Sequence, residues 1–146
     1  MNLSKNKQTA QSIASLLPYI VQGVHPETLS KGSLTQTQFR LMVSLSLKEP
    51  CTMSEMASLM KVSMPTMTGL INRLVIAKYI KRKGHPNDRR QIMIELTPKA
   101  YTFLKGFEAM YAKRWEEILL ILNDQELEQM SQIVTKLNQT MGKKKI

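Results

Sequence analysis

Residues 62–79 read VSMPTMTGLINRLVIAKY. Met67, Leu70, Ile71 and Leu74 recur at i, i+3, i+4 and i+7, the spacing that lays one face of a helix against a core. The opposite face carries Thr66, Thr68, Gly69, Asn72 and Arg73, with Ser63 and Pro65 at its start. Short hydrogen-bonding side chains, a missing side chain and one cation are the types that can approach base edges and phosphates in a major groove. Ser63 suits an N-cap and Pro65 the first turn, so the helix is predicted to begin here.

Upstream, Thr52-Met53-Ser54-Glu55 has the spacing of a capping box, and Met53, Met56, Ala57 and Met60 supply the inward face of a short helix. Lys61-Val62-Ser63 joins the two helices, which gives a helix-turn-helix. Downstream, Ile80–Lys83 and Gln91–Leu96 are predicted as two strands, because Ile92, Ile94 and Leu96 alternate with Gln91, Met93 and Glu95. Between them lies Gly84–Arg90, rich in turn formers and charge. Helix, helix and basic hairpin make a winged helix over residues 35–97.

MSEMASLMKVS (53–63), MTGLINRL (67–74) and YIKRKGHPNDRRQIMIELT (79–97) together resemble the winged-helix core of the MarR family of bacterial transcription regulators. Asp88-Arg89-Arg90, followed after one strand by Leu96-Thr97, is similar to that family's D-x-R wing and its exit into a long helix. The resemblance covers nearly the whole chain, 1–146, as one unit. It implies a mainly α fold with a small β-hairpin wing, whose first helix and last two, residues 1–24 and 98–141 here, form a homodimer. It further implies a ligand-responsive repressor that binds double-stranded DNA at an inverted-repeat operator. A small aromatic or phenolic effector is expected between the winged helix and the dimer helices. Ser63, Pro65, Thr66, Thr68, Gly69, Asn72 and Arg73 are then the groove-facing set, and Lys81, Lys83, Arg89 and Arg90 the wing contacts or phosphate anchors. Asp88, two residues from Arg90 on a hairpin, is placed to accept a hydrogen bond from its guanidinium or from the loop backbone. Lys61 departs from the family, which often has glycine in the turn; a non-glycine residue is tolerable there if its φ stays negative.

Charge agrees with this. The chain carries 21 Lys and Arg against 11 Asp and Glu, net +10, which calls for nucleic acid, an anionic membrane or an acidic partner. Residues 52–97 hold eight of the cations (Lys61, Arg73, Lys78, Lys81, Arg82, Lys83, Arg89, Arg90) and only Glu55, Asp88 and Glu95 as acids, half of the excess in under a third of the chain. At 146 residues and 42% hydrophobic, one compact unit is expected. No stretch approaches the apolar length of a membrane span. Lys5 and Lys7 before an apolar run imitate a signal peptide faintly, but polar residues interrupt the run and no cleavage pattern follows. A single cysteine, Cys51, permits no intramolecular disulfide and fits a cytoplasmic protein, with a structural thiol the expectation.

The flanks read as helices. Ile13, Leu16, Leu17, Ile20, Val21 and Val24 form an amphipathic stripe that Pro18 should kink or divide. His25–Ser33 reads as a loop, and Thr35 with Gln38 opens a helix to about Leu47, with Phe39, Met42, Val43 and Leu45 inward. Thr97-Pro98 starts a long helix whose stripe Ala100, Phe103, Leu104, Phe107, Tyr111, Ile118, Leu119 and Leu122 runs to about residue 122. Asn123–Glu126 starts another, with Leu127, Met130, Ile133, Val134, Leu137 and Met141 as its apolar face. These stripes exceed what the central core can cover. Ile13, Leu16, Leu17, Ile20, Leu127, Met130, Ile133, Val134 and Leu137 are therefore the expected dimerisation residues.

Enzyme chemistry finds little in this sequence, and no cofactor or metal is expected. His25 and His85 sit beside prolines, away from Cys51 and from each other, and adjacent Glu116 and Glu117 point to different sides of a helix. The alternative to a DNA-binding regulator is a winged-helix module that binds protein, its basic face solvated or steering an acidic partner. RNA is less well supported, since the basic stretch lacks an aromatic platform for unstacked bases.

Overall fold

The computed structural model describes residues 3–18, 34–88 and 90–143. Among them run α1 (Leu3–Ala14), α2 (Gln36–Lys48), β1 (Cys51–Thr52), α3 (Met53–Met60), α4 (Met64–Ile76), β2 (Ile80–Gly84), β3 (Ile92–Leu96), α5 (Pro98–Leu119) and α6 (Asp124–Lys143). Helix starts fall where hydroxyl and amide side chains can satisfy the first free N–H groups. Thr35 and Thr52 close full capping boxes with Gln38 and Glu55. Ser63 and Thr97 each accept from the backbone N–H three residues on, each with a proline in the first turn that follows. Asn123 and Glu126 bond reciprocally to each other's backbone N–H at 3.0 Å.

The sheet has three antiparallel strands, in the order β1-β3-β2, where two were expected. β2 pairs β3 from Ile80 opposite Leu96 to Gly84 opposite Ile92, and β1 adds Cys51 opposite Ile94. Two residues ahead of a helix are too few for alternation to be visible, and β1 exists because β3 offers it a free edge. Ile94 and Leu96 are buried as their alternation requires, but Ile92 is exposed, since it lies where the hairpin extends beyond the helices.

Met67, Ile71 and Leu74 of α4 are fully buried against Leu41, Met42 and Leu45 of α2, Met56 of α3, and Ile80 and Ile94 of the sheet. Each such side chain contributes about 1.5–3 kcal/mol by leaving water. On α2, Leu41 and Gln38 are buried and Val43 and Phe39 only partly so, a correction to the expected face. Gln38 tolerates burial because its side chain accepts the Thr35 N–H at 2.8 Å. Phe39 instead faces α5, its ring 4.5 Å from Phe107 and 6.4 Å from Phe103, and Phe103 in turn meets Tyr79 at 5.5 Å. This aromatic run fastens the long helix to the winged helix.

Lys61 does not keep a negative φ. It sits at +55° and Lys78 at +61°, both in the left-handed region. Each follows a helix end where the next N–H reaches back five residues, Val62 to Ala57 O at 3.0 Å and Tyr79 to Leu74 O at 2.8 Å. That turn demands the left-handed conformation whichever residue occupies it.

α1 begins well before the apolar stripe and ends at Ala14, and Ser15 and Leu16 form a turn. Pro18 has no N–H for the Ala14 carbonyl, so the break falls four residues upstream of the proline. Ile20, Val21, Val24 and the loop from His25 to Ser33 lie outside the described residues. α5 ends at Leu119, earlier than expected, and the apolar face of α6 is not buried within this chain: Ile133 is 60% and Leu137 53% exposed, with Met130 half-buried.

Candidate functional site

Ser63, Pro65, Thr66, Thr68, Gly69, Asn72 and Arg73 all lie exposed on α4 or at its start. The Thr66 N–H donates to Ser63 Oγ at 3.3 Å, and Thr68 Oγ1 donates back to the Met64 carbonyl at 2.9 Å. Each hydroxyl retains capacity for a further partner. A Cβ built on Gly69 meets nothing within 4 Å, so no neighbour in the chain requires glycine there. Sequence reasoning passed over two apolar residues beside this polar set, Met64 at 44% and Ile76 at 81% exposure.

The hairpin is ordered by Asp88. Its Oδ1 accepts the Arg90 N–H at 3.0 Å and its Oδ2 accepts from Gln91 Nε2 at 2.9 Å. Of the two expected bonds, the structure therefore has the one to the backbone; the Arg90 guanidinium is left exposed. Those two donors hold the Asp88 carboxyl below its ordinary pKa, so it is charged at neutral pH. The Asn87 N–H donates to His85 Nδ1 at 3.2 Å, and the His85 N–H to the Gln91 carbonyl at 3.1 Å. Arg89 lies outside the described residues.

Lys81 and Lys83 are not free cations. Both reach Glu95 on β3, at 3.0 and 3.1 Å, and their hydrogen bonds lower the Glu95 pKa. Cross-strand register makes this possible, since Lys81 lies opposite Glu95. Arg82, which sequence reasoning left out of the site, turns to the helix instead: its Nη2 donates to Asn72 Oδ1 at 2.5 Å.

The far end of α4 is tied to α5. Thr97 Oγ1 donates to the Lys78 carbonyl at 2.7 Å while capping α5, and Lys99 Nζ donates to the Ala77 carbonyl at 2.9 Å and lies 4.4 Å from the Tyr79 ring centroid. Glu49, closing α2, accepts the Leu96 N–H at 2.6 Å and the Tyr101 hydroxyl. Cys51 is buried, and that burial, with Glu55 nearby, pushes its thiol up to about 11. Two surface depressions stand out beside α3, one of about 450 Å³ along Lys48, Glu55, Ser58 and Leu59 and one of about 130 Å³ between Met53, Met64 and Arg90. Among the described residues no helix is long and apolar enough to cross a membrane.

Two helices at a turn, a following basic hairpin and an exposed polar helix face define a winged helix-turn-helix protein. Residues 34–92, which span the winged helix from α2 to the start of β3, match the model of the MarR family. The multiple antibiotic resistance protein MarR of Salmonella typhimurium is 31% identical over 70 residues, 48% of this chain and 49% of that protein. The match thus spans about half the length of that relative. Solved structures agree along nearly the whole chain. A transcriptional regulator from Thermotoga maritima superposes with TM-score 0.76 at 21% identity, covering 96% of both chains. MepR of S. aureus, solved as a complex with DNA, gives 0.63 at 20% identity, covering 90% of this chain and 96% of that one. At those identities the likeness is one of fold.

Proposed function

We propose that this protein is a homodimeric transcriptional regulator, most simply a repressor, that binds a specific double-stranded DNA site with α4 in the major groove and the hairpin in the neighbouring minor groove. The observation that carries this reading is the α4 face from Ser63 to Arg73, exposed throughout and directly flanked by the hairpin bearing Arg82 and Arg90. The DNA complex of a structural neighbour and the net charge of +10 support the same partner. The exposed apolar face of α6, with Ile13, Leu16 and Leu17 also exposed, supports association through the terminal helices. A small aromatic or phenolic effector belongs to this reading by family resemblance, and no residue is assigned to it. The two depressions beside α3 lie away from the α5 and α6 faces where the family would hold such a ligand.

A gel shift on short duplexes with rising competitor DNA tests the proposal. Sequence-selective retention is expected. Absence of binding even at low salt would remove the DNA reading and favour a protein-binding module.

A further inference from the structure

Asn72 stands in the exposed row Pro65, Gly69, Asn72 and Ile76, spaced i, i+4, i+7 and i+11 along α4 and facing away from buried Met67, Ile71 and Leu74. Its Oδ1 accepts the 2.5 Å bond from Arg82 Nη2. A guanidinium has only donors, so the amide atom that meets it must be the oxygen. Charge assistance makes this stronger than a bond between two neutral amides. Asn72 Nδ2 makes no hydrogen bond among the described residues, and both of its N–H groups remain available.

We propose that Arg82 is a positioning residue for base reading, and that by occupying the Asn72 oxygen it converts this side chain into a donor that selects guanine over adenine. The inference rests on the reading that α4 enters a major groove. There adenine shows an acceptor at N7 and a donor at N6, which an unencumbered asparagine matches with its NH₂ and its oxygen together. Guanine shows two acceptors, N7 and O6. The oxygen keeps a second lone pair, but the guanidinium beside it repels the partly positive N6 amino group of adenine, so Asn72 loses the adenine match and keeps two donors for guanine. Cytosine, which shows a donor at N4, is disfavoured. The arrangement spans two elements, and nothing in the spacing of residues 72 and 82 announces it.

Selection from a randomised duplex library, with the full-length chain and its Asn72→Ala, Arg82→Ala and Arg82→Lys variants, tests this. Thermal unfolding of each variant verifies its fold. The parent is expected to favour guanine about five- to tenfold at one position of each half-site, the lower part of the range for a good side-chain-to-base pair. Asn72→Ala removes that preference at that position alone. Arg82→Ala changes it to adenine while other positions keep theirs, and Arg82→Lys, which also only donates, keeps guanine. Adenine at that position with the parent chain overturns the proposal. So does an Arg82→Ala variant that binds all sequences more weakly but with unchanged preference, because Arg82 then acts as a phosphate contact. A parent that selects no motif at all overturns the major-groove reading beneath the proposal, so the two failures are distinguishable.

Discussion

Asp88 lies two residues from Arg90, yet its carboxylate holds the Arg90 backbone and the Gln91 amide and leaves the guanidinium free to reach outward. Arginine suits a narrow, A·T-rich minor groove, because a weakly hydrated guanidinium is drawn to the strong negative potential there. Arg90→Ala is expected to cost roughly 1–3 kcal/mol of operator affinity with folding intact. Asp88→Ala should also weaken binding although it removes a negative charge, whereas Asp88→Asn, whose side-chain oxygen can still accept the Arg90 N–H, should weaken it less. Titrations of the three variants at matched salt check this order, and a gain in affinity for Asp88→Ala would contradict the positioning role. Lys61 allows a test that involves no DNA. A left-handed residue with a side chain is strained by roughly 1–2 kcal/mol, so Lys61→Gly should stabilise the fold by about 1 kcal/mol after the greater flexibility of the unfolded chain is counted. Chemical denaturation measures it, and a loss of stability would show that the lysine side chain compensates for the strain.

The hairpin shows which parts of the molecule are legible in the sequence. Caps are local: Thr35, Thr52, Ser63 and Thr97 each bond a backbone group three residues away, and each was readable from spacing. The buried face of α4 was readable for the same reason. Contacts set by register were not. That Glu95 pairs with both Lys81 and Lys83 depends on which residue lies opposite which, and Arg82 reaching Asn72 depends on how β2 passes the helix. β1 was missed because its two residues gain strand geometry only from β3. The Glu95 pairs have a measurable consequence. Surface ion pairs contribute under about 1 kcal/mol to stability, so Glu95→Gln should leave the fold intact while releasing two cations. Affinity for random duplex should rise, and the salt slope should steepen by up to about 1.8 if each lysine then meets a phosphate. An unchanged slope would mean that Lys81 and Lys83 do not face the nucleic acid.

At the scale of the whole molecule, the winged helix closes a core of its own, with α5 fastened to it by Phe39, Phe103 and Tyr79, while α6 buries almost none of its apolar face in this chain. Leu127, Ile133, Val134 and Leu137 on α6 are exposed. A two-fold dimer is the commonest way to cover such a face. Removing residues 124–146 is therefore expected to leave a monomeric or poorly folded chain without operator affinity, as sedimentation and gel shift would report. A truncated chain that still sediments as a dimer and binds normally would contradict it. A dimer of this kind presents two copies of α4, and two-fold readers place such helices about one turn of DNA apart. Footprinting on a selected operator tests that geometry and the DNA reading together. The predicted result is two protected half-sites in inverted orientation with centres about 10 bp apart, or a multiple of that spacing. A single asymmetric half-site would contradict the account, and so would no protection at about 50 mM salt, where phosphate contacts are strongest.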